Sequence, residues 1–255
     1  MQEVHHDTRV QSLEWSPRTN LMMAPKRLEF ASSGTDHKVR VFTSDLTEVQ
    51  VAELKGHTDY VNSLAYEPER GEQLLTGSDD HTVRVWEAGA CTATLHFPAP
   101  VLSLVWHQEE PGKVLVGEKT GRISLYNATT LQPILSLDAA SSPLLDLDWS
   151  PANSLLVSAA VAGELVMFDL SCPSLLLSRT VHSEGARHVA AARHTDLLVA
   201  TAGNPGNCVK VWHSKSSVLL LSTELVVVGG ISWHARLPFL AVGGDREVQL
   251  FRVTY

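Results

Sequence analysis

Six apolar runs in this 255-residue chain each end on an aromatic, at Phe42, Trp86, Tyr126, Phe168, Trp212 and Phe251. The intervals between them are 44, 40, 42, 44 and 39 residues. A period near 40 sustained along the chain constrains the fold more than composition can, because one such unit cannot bury an apolar face alone and must stack on its neighbours. No linker breaks the series: Gly and Pro are scattered through short turns, with no low-complexity tract or long block of like charge. A single domain over residues 1–255 is expected, with repeats at 5–48, 54–92, 95–131, 137–172, 180–217 and 222–255.

The second unit is the clearest: LKGHTDYVNSLAYEP, then EQLLTGSDDHTVRVWEAG, from Leu54 to Gly89. This period, ending on a Trp-acid pair, is the signature of an all-β WD-repeat β-propeller, with six blades visible in the chain. In such a blade a loop histidine, a hydroxyl on the second strand, a turn aspartate and a tryptophan on the third strand form one buried hydrogen-bond chain. Here they are His57, Thr76, Asp80 and Trp86, and their pairing satisfies polar atoms that the stack would otherwise bury unpaired. A histidine, an acid and a hydroxyl side by side also suggest a hydrolase with Thr76 as nucleophile and His57 as base. That reading needs an open cleft and an oxyanion hole, which strand and turn positions between blades do not offer.

The first unit repeats the quartet as His6, Ser32, Asp36 and Phe42. Phenylalanine cannot donate to Ser32, so this network is expected to be weaker by about 0.5–1.5 kcal/mol. The third unit puts Val116 and Thr120 at the hydroxyl and acid positions, the fourth keeps Ser158 but has Ala162, the fifth has a Gly-Pro-Gly-rich hairpin, and the sixth keeps Asp245 but has Ala241. Those blades are expected to rely on packing. The first strands keep one apolar spacing, Val10-Leu13-Trp15, Val61-Leu64-Tyr66, Val101-Leu104-Trp106, Leu144-Leu147-Trp149 and Val228-Ile231-Trp233, which reads as core. Only RVTY follows Phe251, so the sixth unit lacks an outer strand, and pairing of Gln2–Val4 with Phe251–Thr254 is the expected closure.

Bulk properties exclude several function classes. A net charge of -8 gives no electrostatic footprint for nucleic acid or anionic lipid. Three cysteines, Cys91, Cys172 and Cys208, are too few and too dispersed for a disulfide framework or zinc site, which favours a reducing compartment. The N-terminus lacks the basic and apolar blocks of a secretory signal, and Val218–Ile231 is interrupted by Ser222, Thr223 and Glu224 and is too short to span a membrane. The Asn127-Ala128-Thr129 sequon is then inert. Trp106-His107, Trp212-His213 and Trp233-His234 recur with the blades, so they read as rim histidines rather than metal ligands. Gly229-Gly230 and Gly243-Gly244 lack the helix a phosphate loop requires. Asp146 and Asp148 read as strand-flanking polar residues. No catalytic residue, cofactor or metal is expected.

The strings GHTDYVN, SDDHTVRVW, GISWHARLP, GGDREVQLF and RVFTSDL carry a more specific resemblance, because GISWHARLP and VFTSDL fall outside the generic repeat. Along essentially its whole length the chain resembles the thirty-seven-kilodalton WD-repeat nucleoporin family of the Y-shaped scaffold complex. The resemblance implies a seven-bladed family whose first blade has no counterpart here. It also implies a non-catalytic scaffold subunit of the nuclear pore outer ring, docked on the large propeller-plus-helical nucleoporin of the short arm, and present at kinetochores in mitosis. It implies no direct nucleic-acid contact and no membrane insertion. The partner-facing candidates are the exposed segments holding Arg18 and Arg27, Glu67 and Glu72, and Arg236. The alternative is a substrate receptor of a cullin-type ubiquitin ligase. Such receptors carry Trp-Asp-x-Arg at blade ends, and none of the six endings supplies that arginine.

Overall fold

A computed structural model describes residues 6–110, 112–172, 176–216, 218–244 and 246–254, and every regular element among them is a β-strand. The expected closing strand at Gln2–Val4, and Asp245, lie outside the described residues. The chain divides into two compact units, residues 1–118 with 124–135, and residues 119–123 with 136–255.

In the first unit, β1 (Val10–Trp15), β2 (Leu28–Gly34), β3 (Val39–Ser44) and β4 (Val49–Leu54) form one antiparallel meander. A second is built from β5 (Val61–Tyr66), β6 (Gln73–Ser78), β7 (Thr82–Glu87) and β8 (Ala90–His96). The third sheet, β9 (Val101–Trp106), β10 (Lys113–Glu118), β11 (Arg122–Asn127) and β12 (Pro133–Asp138), straddles the boundary between units. The second unit holds β13 (Leu144–Trp149), β14 (Leu156–Val161), β15 (Glu164–Asp169) and β16 (Leu176–Thr180), then β17 (Ala186–Ala191), β18 (Leu198–Gly203), β19 (Cys208–His213) and β20 (Leu219–Glu224). A three-stranded sheet, β21 (Gly230–Trp233), β22 (Phe239–Gly244) and β23 (Glu247–Arg252), completes it. These sheets are the six blades of a WD-repeat β-propeller fold. The repeat limits expected from the sequence stop before, or cut into, each fourth strand, because those strands are half exposed and carry the weakest apolar pattern.

One local device explains the Val-x-x-Leu-x-Trp spacing. In five sheets the pairing of the first strand with the second shifts by one residue at the same place, between Val10 and Ser12, Val61 and Ser63, Ser103 and Val101, Leu144 and Asp146, and Ala186 and His188. Strict alternation would put residues three apart on opposite faces. The bulge restores them to one face, so Val61, Leu64 and Tyr66 all point to the same neighbour.

The core lies at the seams between blades. Val61, Leu64, Tyr66, Leu74 and Trp86 of the second blade pack on Ala31, Val39 and Leu54 of the first. Val101, Leu104 and Trp106 pack on Val83 and Val85, and Trp233, Leu240 and Val242 on Val209 and Val211. Each fully buried aliphatic contributes about 1.5–3 kcal/mol relative to exposure, so these seams hold the blades together. The reading of all the first-strand triples as core needs one correction. Val10, Leu13 and Trp15 of β1 are 42, 48 and 53% exposed among the described residues.

Polar stitches cross the same seams. Ser33 Oγ donates to Val61 O at 2.9 Å, and Ser63 Oγ accepts from Leu104 N at 3.0 Å. Asp146 and Asp148 are stitches too: their Oδ2 atoms accept from Val189 N at 3.1 Å and Ala191 N at 2.7 Å. Burial pushes the Asp148 carboxyl up to about 7, against the pull of the Ala191 amide, although the residue keeps a margin of accessible surface.

Candidate functional site

The polar cluster of the second blade is assembled from a loop, two strands and a turn. Trp86 Nε1, on β7, can only donate, and it meets Thr76 Oγ1 on β6 at 2.9 Å. Thr76 has one hydroxyl proton, which goes to His57 Nε2 at 2.6 Å. Nδ1 of the neutral imidazole therefore carries the other proton and donates to Asp80 Oδ2 at 2.8 Å. The chain of donors runs one way, from indole to hydroxyl to imidazole to carboxylate. Asp80 also accepts from Thr58 N at 3.1 Å, Thr82 N at 3.0 Å and Thr82 Oγ1 at 2.6 Å. Burial opposes ionisation of Asp80, but the bonds from Thr82, His57 and Thr58 outweigh it and hold the carboxyl at about 2. Burial lowers His57 below its ordinary value, with Asp80 pulling the other way. The Gly of the Gly-His pair lets the Arg84 guanidinium lie close over the backbone: a Cβ on Gly56 would stand 2.5 Å from Arg84 Nη1, and the flexible arginine would have to move aside.

As chemistry this cluster is closed. Thr76 has no solvent access, its proton is committed to His57 and its lone pair to Trp86, so it has neither access to a substrate nor freedom to attack one. Each partner instead removes the cost of burying another, about 1–3 kcal/mol per orphaned group.

The first blade assembles its quartet differently. His6 Nε2 meets Ser32 Oγ at 2.9 Å, but Asp36 does not join them. It turns to Arg40, which donates from Nη1 at 3.1 Å and from Nη2 at 2.6 Å and holds the carboxyl at about 2. The reason is local. Where the second blade has Thr82 to bind the turn acid, the first has Lys38, whose amine goes to Glu53, so Arg40 on the next inward position takes Asp36. Phe42 is buried and stacks on Phe30 at 4.9 Å.

Sequence reasoning missed a third cluster in the fifth blade. His182 Nε2 lies 3.0 Å from Thr201 Oγ1, and Trp212 Nε1 donates to the same oxygen at 3.2 Å. No acid completes it, and His182 Nδ1 is buried with no hydrogen-bond partner among the described residues. Burial, helped by Lys210, lowers His182 to about 4. In the fourth blade Ser158 Oγ is buried and likewise lacks a partner, since Phe168 has no proton to give.

The three strand-end histidines cap turns, and His107 does so while buried. His107 Nδ1 accepts from Glu109 N at 3.1 Å and Glu110 N at 2.8 Å, and His234 Nδ1 from Arg236 N at 3.1 Å and Leu237 N at 3.0 Å. His213 Nδ1 accepts from Ser216 N at 3.1 Å. Among the described residues no group of three or more His, Cys, Asp or Glu is placed to hold a metal ion, and no helix is long and apolar enough to cross a membrane.

Of the partner-facing candidates, the first unit gathers Arg18, Arg27, Glu67 and Glu72 around two neighbouring clefts, one of roughly 300 Å³ whose floor is formed by the buried Leu54, Leu74 and Trp86. Two of the four are committed internally. Glu67 caps its own turn by accepting from the amides of Glu69, Arg70 and Gly71 at 2.7, 2.7 and 2.8 Å, and Arg27 is bound to the buried carboxylate of Glu29. Arg18 donates from Nε to Arg70 O at 2.8 Å and faces Glu72 at 4.0 Å, both side chains remaining substantially exposed. Arg236 lies in the second unit, exposed in the loop between β21 and β22.

Comparison with known proteins places this geometry. The WD40 repeat family (WD domain, G-beta repeat) matches residues 2–43 and 48–87. The nucleoporin Nup37 of Mus musculus is 37% identical over 256 residues, covering 98% of this chain and 78% of the mouse protein. Nup37 of Homo sapiens is 36% identical with the same coverage, and that of Drosophila melanogaster is 34% identical over 251 residues, 96% of this chain and 77% of the fly protein.

Proposed function

The chain belongs to the Nup37 family of nucleoporins, and from that premise we propose that it is a non-catalytic scaffold subunit of the nuclear pore, docking on other nucleoporins of the Y-shaped outer ring and, within it, on the large propeller-plus-helical nucleoporin of the short arm. The observation that carries this reading is likeness spread over 98% of the chain rather than confined to the repeat motif. The sealed tetrad supports it, because the only His-hydroxyl-acid cluster of the second blade is consumed in holding strands together.

Docking through Arg18 and Glu72 is part of the proposal. They are the exposed charges beside a cleft with an apolar floor, the combination of polar rim and buried anchor that protein interfaces use. Tagged chain added to cell extract is expected to recover the Y-complex nucleoporins, and Arg18→Glu with Glu72→Arg to reduce that recovery. Capture of a cullin adaptor in their place, or no nucleoporin at all, would overturn the reading.

A further inference from the structure

The connection between β1 and β2 runs over residues 16–27, where the corresponding connections of the other blades span only 67–72, 107–112, 150–155, 192–197 and 234–238. It is a built projection. Asn20 and Arg27 exchange backbone hydrogen bonds at 2.7 Å in each direction. The Asn20 side chain then ties the tip, accepting from Met22 N and Met23 N at 3.2 Å and donating to Met23 O at 3.1 Å. Thr19 Oγ1 pins the root by donating to Glu29 O at 2.7 Å. On its other side the root rests on the second blade, with Arg18 Nε on Arg70 O at 2.8 Å and Pro17 packed against Gly71, so both blades fix its direction.

What this frame holds out is apolar. Leu21, Met22 and Met23 are 45, 93 and 71% exposed, and Met22 is the most exposed large apolar side chain among the described residues. The same stretch holds Arg18, Lys26 and Arg27 and no acid, in a chain whose net charge is -8. Arg27 is bound to Glu29, which leaves Arg18 and Lys26 as the exposed charges beside the tip. Resting on the docking reading above, we infer that Met22 and Met23 are the anchor of the site that Arg18 begins, and that they enter an apolar pocket with an acidic rim on the nucleoporin partner. Unbranched thioether chains adapt to the shape of a pocket, and the Asn20 clamp removes ordering that a loose loop would undergo on binding. An acidic rim is the complement of Arg18 and Lys26. A lipid surface is the poorer match, because interfacial segments carry Trp, Phe or Leu against a strongly basic face, and a net charge of -8 is repelled by anionic headgroups.

Methionine oxidation reads this contact directly, with the buried Met167 as internal reference. The purified chain is treated briefly with peroxide, alone and with the purified large propeller-plus-helical nucleoporin of the short arm, and its peptides are analysed by mass spectrometry. Sulfoxide at Met22 and Met23 is expected to form at least about tenfold more slowly in the complex, with Met167 unreacted in both. Met22→Asp with Met23→Asp is expected to weaken binding by about a hundredfold or more, since two charges would enter an apolar pocket. Lys26→Glu is expected to weaken it by about tenfold or less and to flatten its salt dependence. All three side chains are exposed, so the variants should fold, with circular dichroism as the check; Met22→Gln with Met23→Gln repeats the test if the Asp pair does not. Binding in which the two methionines oxidise as fast as in the free chain, or an Asp variant that binds like the wild type, overturns this inference and leaves the docking reading standing. A wild-type chain that does not bind that nucleoporin overturns both. Methionine-dependent binding to vesicles of phosphatidylcholine and phosphatidylserine, in place of the nucleoporin, overturns the choice of a protein partner.

Discussion

The second and fifth blades solve the same problem with different numbers of parts. Both bury a loop histidine against a strand hydroxyl that also receives a tryptophan N–H. In the second, Asp80 accepts from the far nitrogen of His57; in the fifth, the far nitrogen of His182 has no partner among the described residues and Lys210 stands nearby. The carboxylate is therefore the element that turns a tolerated histidine into a stabilising one. It satisfies the imidazole, ties down two backbone amides of loop and turn, and offsets the penalty burial places on the histidine's charge.

The strongest way to break the contrast is to remove that acid. Asp80→Ala is expected to cost about 3–5 kcal/mol, because His57 Nδ1, Thr82 N and Thr82 Oγ1 lose their acceptor together on the buried side of the site, while Thr58 N at its exposed edge can turn to water. Urea unfolding of the variant measures it. A cost under 1 kcal/mol would mean the network is geometry without energy. The second blade should then resemble the fifth, with His57 left carrying an unsatisfied nitrogen.

Acid should separate the two histidines. His182 is lowered to about 4, so between that value and its unfolded value near 6.5 the unfolded chain binds the extra proton and the folded one does not. Stability from this site is fully present above 6.5 and is lost as pH falls through that window, by about 2–3 kcal/mol at the lower end. His182→Gln, which cannot titrate, should remove that part of the slope when unfolding midpoints at neutral and acid pH are compared. Burial lowers His57 too, but Asp80 stays ionised down to about 2 and favours its protonation, so the His57 contribution is smaller. Thr201→Val comes next, at about 2 kcal/mol, since it orphans Trp212 Nε1 and the second nitrogen of His182 at once.

Much of this was legible in the sequence, and what was not has identifiable causes. His57, Thr76, Asp80 and Trp86 are separated by turn and strand lengths that any complete blade must have, so their spacing alone located the cluster. His182 precedes Thr201 by 19 residues, as His57 precedes Thr76, and that interval was the available signal. It was obscured because Val181 replaces the glycine of the Gly-His pair and the hairpin after Thr201 has no acid. Asp36 was misplaced because its choice of partner depends on Lys38 and Arg40, whose side chains compete across neighbouring strands. The exposure of Trp15 could not be read at all: β1 has the same apolar spacing as β5, whose face packs on the first blade. The role of Asp146 and Asp148 was hidden for the same reason, since their partners lie 43 residues further on.

The smallest and sharpest test concerns the cation near His182. Lys210 on β19 holds the position that Arg84 holds on β7 and donates from Nζ to Val181 O at 2.6 Å, next to the histidine. At His57 the field of Asp80 opposes that of Arg84; at His182 no acid among the described residues opposes Lys210, whose field adds to burial in keeping the histidine neutral. Lys210→Met keeps the length and apolar stem while deleting the charge. His182 should then titrate at higher pH than the wild type while staying below 6.5, because burial, the larger cause, is unchanged. The imidazole carbon shift in an NMR titration reads this directly, and the acid-side loss of stability should narrow by less than about 1 kcal/mol. If His182 does not move, burial alone accounts for its neutrality, and the contrast between the blades reduces to one unsatisfied nitrogen. If it moves by the expected direction, the fifth blade is destabilised on two counts, a missing acceptor and an unbalanced charge, and both are supplied by the single carboxylate that the second blade retains.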